Sequence, residues 1–261
     1  MKFIGVIIIL SLLYNESFQI KLAAYYQDHM VLQRSPHSAI IWGYASLDSV
    51  ISLNLFNKTY TAIAKQSNEL FQPTWEIILD PTTYKYSVDI EITETDISGA
   101  VSKVNLKDVL FGDVWLCGGQ SNMQISLSGT IEGEYEINNA YKYQDKLRLF
   151  TVETFASDKL EYDLLRIKQN WSVPSAVSVG DPNKWQYFSA VCWHFGKSLT
   201  ERIDYPIGLL VSSWGGTQIE RWSPVEVLTD CNVKNRNTDD STLWNSMIHP
   251  LLKFPIYGAI W

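Results

Sequence analysis

Phe111-Gly-Asp-Val-Trp-Leu-Cys-Gly-Gly-Gln-Ser-Asn-Met-Gln124 is the stretch on which the fold turns. Val114 to Cys117 is a short apolar run, and Gly118-Gly119 ends it. An apolar run without alternation reads as a strand buried on both faces, the kind that parallel sheets contain. Downstream the logic repeats. Leu147–Val152 is a second strand candidate. From about Ser189 to Ile203, the apolar residues Val191, Phe195, Leu199 and Ile203 recur at every fourth position and share one face of a predicted helix. Tyr205-Pro206 stops that helix, and Ile207–Val211 is another buried-type strand. Ser241 to Lys253 reads as the next helix, with Ser241 as N-cap. Phe254-Pro255 breaks it, and Ile256–Trp261 starts a further apolar strand. Strands alternating with helices predict a parallel α/β sheet. Residues 153–188 carry no assignable pattern.

Upstream the pattern is different. From about residue 20 to 108 there is no helical period. Ser38–Gly43, Ser49–Leu55, Thr59–Ile63, Trp75–Leu79 and Tyr86–Ile92 alternate or run apolar, and Arg34-Ser-Pro36, Asn57-Lys58 and Asp80-Pro81 separate them as turns. Short strands at this spacing predict a β-sandwich-like module. The expected fold class is therefore α/β and β. A β-rich module over 19–108 precedes an α/β sheet domain over 109–261, and residues 1–18 stand apart as a leader.

That leader consists of Lys2 followed by an apolar run from Phe3 to Tyr14. The run is too short for a bilayer span, which takes about 20 residues, and reads as a secretory signal peptide. No later segment is long and apolar enough to cross a membrane. Asn57-Lys-Thr59 and Asn170-Trp-Ser172 are glycosylation sequons. The expected location is the secretory pathway, extracellular or lysosomal. The 261 residues carry a formal charge of −7, and their hydrophobic fraction of 46% is that of a globular chain. An acidic chain without a Lys/Arg cluster disfavours a nucleic-acid binder. Of the three cysteines none is spaced as CxxC, which leaves no zinc site to propose. Cys117, inside an apolar stretch, reads as a packed thiol, and the odd count leaves at least one cysteine free or paired with another chain. Neither a Walker-type loop nor GxGxxG is present, so no cofactor is expected.

In doubly wound sheets, ligands bind beyond the carboxyl ends of the strands. Two glycine-rich segments fall there: Gly118-Gly-Gln-Ser-Asn-Met123, and Ser212-Ser-Trp-Gly-Gly-Thr217. A serine just after a strand can present its hydroxyl to a cleft. Glycines let backbone N–H groups approach a reacting oxygen and stabilise the oxyanion formed when an ester carbonyl is attacked. The pair reads as a nucleophile plus an oxyanion hole. Either segment alone also reads as a plain strand-to-helix turn, and Gly119-x-Ser121-x-Met123 is not the G-x-S-x-G elbow of ordinary α/β-hydrolases. Gln120, Asn122 and Glu220 flank the two loops as candidates for a substrate rim. The ten tryptophans offer rings for stacking on sugars, although most read as core.

Residues Phe111–Gln124 resemble the nucleophile block of the sialate O-acetylesterases, within the wider SGNH-type esterase superfamily. Asp28-His-Met-Val-Leu-Gln33, Pro206–Glu220 and Leu243-Trp-Asn-Ser-Met-Ile-His-Pro-Leu251 resemble further blocks of that family in the same order. The resemblance implies a serine esterase that removes acetyl groups from hydroxyls of sialic acid. Ser121 would be its nucleophile, and the backbone N–H groups of Ser121 and of the Gly215-Gly216 pair its oxyanion donors. The implied partner is an O-acetylated sialic acid or another acetylated sugar. Small departures fall at the rim: Gly118 stands where the family often has Ser, Gln218 where Pro is common, and Arg221 where a small residue is usual. In the family, a strand like Ile256–Trp261 leads into a Gln-Gly-Glu-Ser-Asn block, and an Asp-x-x-His block further on supplies the general base. Neither block occurs in this sequence, and nothing follows the last strand to cover it. The expectation is thus an SGNH-type sheet seen in part, in a chain that is an incomplete version of a longer protein. The alternative is a short form that binds carbohydrate or a partner without catalysing. His249 is the candidate for a local base. His29, His37 and His194 read as packed or surface side chains, and Asp113 as a residue at the wrong end of its strand.

Overall fold

The computed structural model describes residues 19–180, 187–233 and 237–261; the expected leader lies outside them. Twelve named strands run in the order β1 Lys21–Leu22, β2 Val31–Gln33, β3 Ile40–Tyr44, β4 Val50–Leu55, β5 Lys58–Ile63, β6 Thr74–Ile78, β7 Val88–Thr95, β8 Val101–Gly119, β9 Leu147–Val152, β10 Ile167–Ser172, β11 Ile207–Ser213 and β12 Gly258–Ile260. The α-helices are α1 Gly133–Asn139, α2 Ala176–Val179, α3 Ala190–Thr200 and α4 Val225–Asp230. The architecture is mixed α/β, with strands predominating.

The first half follows period-2 burial. In β4, Ile51, Leu53 and Leu55 are buried, while Val50 and Asn54 face out. Strands β1, β3 and β6 form a three-stranded antiparallel sheet, and β5, β4, β7 and β8 follow one another in a larger one. Ile41, Trp42, Trp75 and Ile77 of the first sheet share a core with Ile51, Leu53, Ile90 and Ile92 of the second.

Strand β8 then changes partners. Its residues 101–109 pair antiparallel with β7, 110–112 parallel with β2, and 113–119 parallel with β11. The change of pattern at 108/109 thus falls inside one continuous strand. The register against β7 slips between Val88 and Ile90, and Asp108 there adopts φ 53°, a bulge that re-aims the strand. Asp108 is tied down on several sides: His29 Nδ1 lies 2.8 Å from Oδ2, Arg148 Nη2 donates to Oδ2 at 2.9 Å, and its own N–H donates to Asp89 at 3.0 Å.

In the second half, β9, β11, the end of β8 and β12 are parallel to one another, with β10 antiparallel on the β9 edge. Every residue of β9 and β11 is buried, including the polar Arg148, Thr151, Ser212 and Ser213. Leu147, Leu149, Ile207, Leu209, Val211 and Cys117 face one core with Phe188 and Trp193. Phe150, Val152, Val114 and Leu210 face the other, which continues into the β-rich half and takes in Leu243, Met247, Leu251 and Phe254. Helix α3 therefore covers one face of the parallel sheet and the β-rich half covers the other.

Three expectations change. Cys117 is not a packed thiol: it forms a disulfide with Cys192, with Cα atoms 5.9 Å apart, and Cys231 is the free, exposed cysteine among the described residues. Cys117 points toward the α3 face, and the first turn of α3 brings Cys192 across from it. Second, α3 is capped by Ser189, whose Oγ accepts from Cys192 N at 3.1 Å, and Phe195, Leu199 and Ile203 pack against the core as expected; its fully buried residues are Ala190, Cys192, Trp193 and Gly196, while Val191 is 42% exposed. Gly196 sits there because Leu209 leaves no room for a Cβ. Third, the predicted helix from Ser241 to Lys253 is helical without a break over 242–251 but irregular, opening into a wide turn over Trp244–Ile248 and closing in a tight turn over His249–Leu251. Pro250 supplies no N–H and restricts His249; Ser241 stands at the start, its C=O accepting from Asn245 N at 2.9 Å and its N–H donating to Glu220 O at 3.0 Å, but its hydroxyl makes no cap bond. Within residues 153–188, β10 and α2 are the regular elements among the described residues.

Candidate active site

Strands β8 and β11 run side by side with Cys117 opposite Val211 and Gly119 opposite Ser213. They end at the same level, so their two glycine-rich exits meet. Trp214 N donates to Gly119 O at 3.0 Å and locks the exits together. Ser121 adopts φ 42°, in the left-handed region that a side chain disfavours. Holding it there costs roughly 1–2 kcal/mol. Beyond it the chain tightens at once: Met123 N donates to Gln120 O and Gln124 N to Ser121 O, both at 2.9 Å. The result is an exposed serine hydroxyl lifted off the carboxyl edge of the sheet.

Two glutamines bridge the exits. Gln124 is buried, and its Oε1 accepts from Gly215 N at 2.7 Å. Gln120 is exposed, and its Oε1 accepts both from Ser121 Oγ, in a very short hydrogen bond, and from Gly216 N at 3.1 Å. The structure thus brings together Ser121, Gln120, Gly215 and Gly216. Gly216 is exposed, with φ 76° and open space where a side chain would project. Asn122 is exposed next to Ser121. Sequence reasoning missed Gln124, whose only signal is its position three residues after the serine.

The second loop continues into a tight turn at Ile219–Trp222. The Glu220 carbonyl there is taken by Ser241 N. Arg221 Nε pairs with Asp239 at 3.2 Å, and the guanidinium lies over the Trp214 ring at 5.5 Å. Trp222 donates its Nε1 to Thr217 Oγ1 at 2.9 Å and meets Trp261 edge-on at 5.5 Å. Trp261 fills the space over Gly118, where a Cβ would lie 2.9 Å from the indole. Of the tryptophans, Trp214 is half-buried and Trp261 exposed at this end, whereas Trp42, Trp75, Trp171, Trp193 and Trp222 are core.

The four histidines lie elsewhere or are engaged elsewhere. His249 holds its Nδ1 2.6 Å from Glu161 O and packs edge-on against Tyr162 at 5.0 Å. His29 pairs with Asp108, and His37 and His194 are exposed. Asp113 is buried in an ion pair with Arg34, Nε to Oδ1 2.8 Å, and Arg34 stacks on Tyr205 at 3.9 Å. It lies eight residues before Ser121, roughly 26 Å down the strand, where it joins the two halves. Asn57, in the tight turn between β4 and β5, and Asn170, in β10, are both exposed. Among the described residues, no group of three or more His, Cys, Asp or Glu is placed to hold a metal ion, and no helix is long and apolar enough to cross a membrane.

No family model matches the chain. Among curated proteins it is similar to sialate O-acetylesterases: 36% identical over 256 residues to that of Pongo abelii, covering 92% of this chain and 48% of the relative. The figures for Homo sapiens are 34%, 92% and 48%, and for Mus musculus 35%, 92% and 51%. Among solved structures it is similar to a carbohydrate acetylesterase from Xanthomonas citri, with a TM-score of 0.76, 30% identity, and coverage of 93% of this chain and 50% of that one. The chain spans about half the length of the curated relatives it matches, and over that half it is similar to the sialate O-acetylesterases.

Proposed function

We propose that this chain carries the nucleophile half of a carbohydrate esterase that removes O-acetyl groups from sialic acids or other acetylated sugars. One observation carries the reading: an exposed serine in the left-handed region at the end of a central parallel strand shares a hydrogen-bond acceptor with a glycine amide of the neighbouring exit. Ser121 Oγ attacks the acetyl carbonyl carbon while its proton passes to a base. The N–H groups of Ser121 and Gly216 take the oxyanion, and the sugar hydroxyl leaves with a proton. Water then cleaves the acetyl-serine to acetate and restores Ser121. The base belongs to the Asp-x-x-His block that the family resemblance implies, since His249 is engaged by Glu161. Gln120, Asn122 and Glu220 form the substrate rim.

The β-rich half is, in this reading, a β-sandwich-like module over 19–108, and residues 109–261 carry an SGNH-type sheet. The Cys117–Cys192 disulfide, the two exposed sequons and the apolar leader support passage through an oxidising secretory route. The decisive experiment measures acetate release from O-acetylated sialic acid by the full-length protein and by Ser121→Ala. Loss of several orders of magnitude is expected, and an unchanged rate refutes the nucleophile. A second reading, a carbohydrate-binding form without turnover, rests on Ser121 Oγ facing an amide instead of an imidazole; it requires sugar binding with no Ser121-dependent acetate.

A further inference from the structure

The acceptor shared by the two donors of the candidate site belongs to the protein itself. Gln120 Oε1 takes the Ser121 hydroxyl and the Gly216 amide together. Its carboxamide is a planar C=O, the same kind of group as the carbonyl of an acetyl ester. An acyl oxygen under attack by Ser121 needs a donor in that place. The two glycine amides of the second exit are not held alike. Gly215 N is capped by Gln124, which is 8% exposed and sits where a Cβ on Gly215 would collide with it. Gly216 N is capped by Gln120, which is exposed, and Gly216 itself has open space beyond it. The first cap cannot leave without opening the core edge, whereas the second can swing into solvent.

We propose that Gln120 is an internal gate: its side-chain carbonyl occupies the oxyanion position in the free protein, and an acyl group enters by displacing it. Gly216, not Gly215, then supplies the loop donor. This rests on Ser121 being the nucleophile of the proposed esterase. Displacement strips two hydrogen bonds from Gln120 and returns equivalents to the substrate. The gate therefore slows every acyl donor by a modest factor and keeps Ser121 hydrogen-bonded when no substrate is present.

The test uses the full-length protein, a fluorophosphonate probe and amide hydrogen exchange. The probe forms an Oγ–P bond at Ser121 as fluoride leaves and the Oγ proton passes to base. Gln120→Ala removes the gate, and Gln120→Met keeps its length without an acceptor oxygen. Both are expected to label Ser121 about 3- to 10-fold faster than wild type, the worth of roughly one net hydrogen bond. In both, the Gly216 amide should exchange faster while that of Gly215 stays protected. Ser121 labelled in wild type with equal or slower labelling in both variants overturns the gate alone. No labelling of Ser121 in any of the three proteins overturns the esterase reading, and the gate with it.

Discussion

The amide oxygen of Gln124 lies 2.7 Å from the backbone nitrogen of Gly215, and a Cβ on Gly215 would stand 2.7 Å from that same oxygen. The contact is therefore tight from both sides, and it fixes the second glycine-rich exit against the first. Gln124→Ala would leave the Gly215 N–H without its acceptor at a cost of about 1–3 kcal/mol. In the proposed esterase, measured as the full-length protein, activity should fall by roughly 10- to 100-fold as the donor loop loses its position, with the loss mainly in kcat. Gln124→Glu, which retains an acceptor oxygen, should restore a measurable part. Full activity in Gln124→Ala would remove this contact from the site.

Ser121 should trade stability for function. Its φ of 42° suits glycine better than any L side chain. Ser121→Gly is expected to be more stable than Ser121→Ala by about 1 kcal/mol, or roughly 2–4 °C in Tm for a chain of this size. Both variants should lack Ser121-dependent acetate release. Equal melting temperatures would mean that the backbone there is not strained.

The Cys117–Cys192 bridge joins positions 75 residues apart. A loop of that length predicts a stabilisation of about 4 kcal/mol in the chain-entropy account. Replacing both cysteines with serine should lower Tm by roughly 10 °C, and reductant should have no further effect on the variant. Because Cys117 lies four residues before Ser121 on the same chain, activity should decline with the loss of the bridge at lower temperature than in wild type. An unchanged Tm would show the two thiols to be unpaired.

Two carboxylates should respond to pH in opposite senses. Burial pushes Asp108 upward, but hydrogen bonds from His29 and Ser87 and the charge of Arg148 outweigh it and hold the carboxyl below its ordinary range. Its contribution is present above the unfolded carboxylate pKa and is lost as pH falls through the depressed folded value. Burial raises Asp163, against hydrogen bonds from Ala24 N, Tyr44 and Leu164 N. Its contribution is present below the unfolded value and is lost as pH rises through the raised folded one. In denaturant melts from about pH 3 to pH 7, the stability advantage of wild type over Asp108→Asn should widen, while that over Asp163→Asn should narrow. Parallel curves for either variant would contradict the corresponding shift.

The strands of the parallel sheet were legible because burial on both faces leaves largely apolar segments, as in Ile207–Val211 and, interrupted by Arg148 and Thr151, in Leu147–Val152. The two glycine-rich exits were legible because strand ends in such sheets carry ligand sites. What could not be read was long-range. The Cys117–Cys192 pairing depends on which face of β8 meets the first turn of α3, and the Gln124–Gly215 contact spans 91 positions. On α3 the expected Phe195, Leu199 and Ile203 do pack against the core, but Ala190 and Gly196, which are buried through smallness, were not legible, and Val191 faces out. The helix expected from Ser241 is present over 242–251, but its wide and tight turns leave no mark in a 3.6-residue hydrophobic period.

Strand β8 is a single rod of 19 residues, roughly 60 Å of contour, whose first part belongs to the antiparallel sheet and whose last residue adjoins the Gln120–Ser121 turn. There is no linker between the halves to act as a hinge, so force applied to one reaches the serine turn through continuous backbone. A recombination point near residue 108 would sever a strand in mid-ladder and uncover one face of the parallel sheet. The two halves are therefore exchangeable between relatives only as one heritable piece.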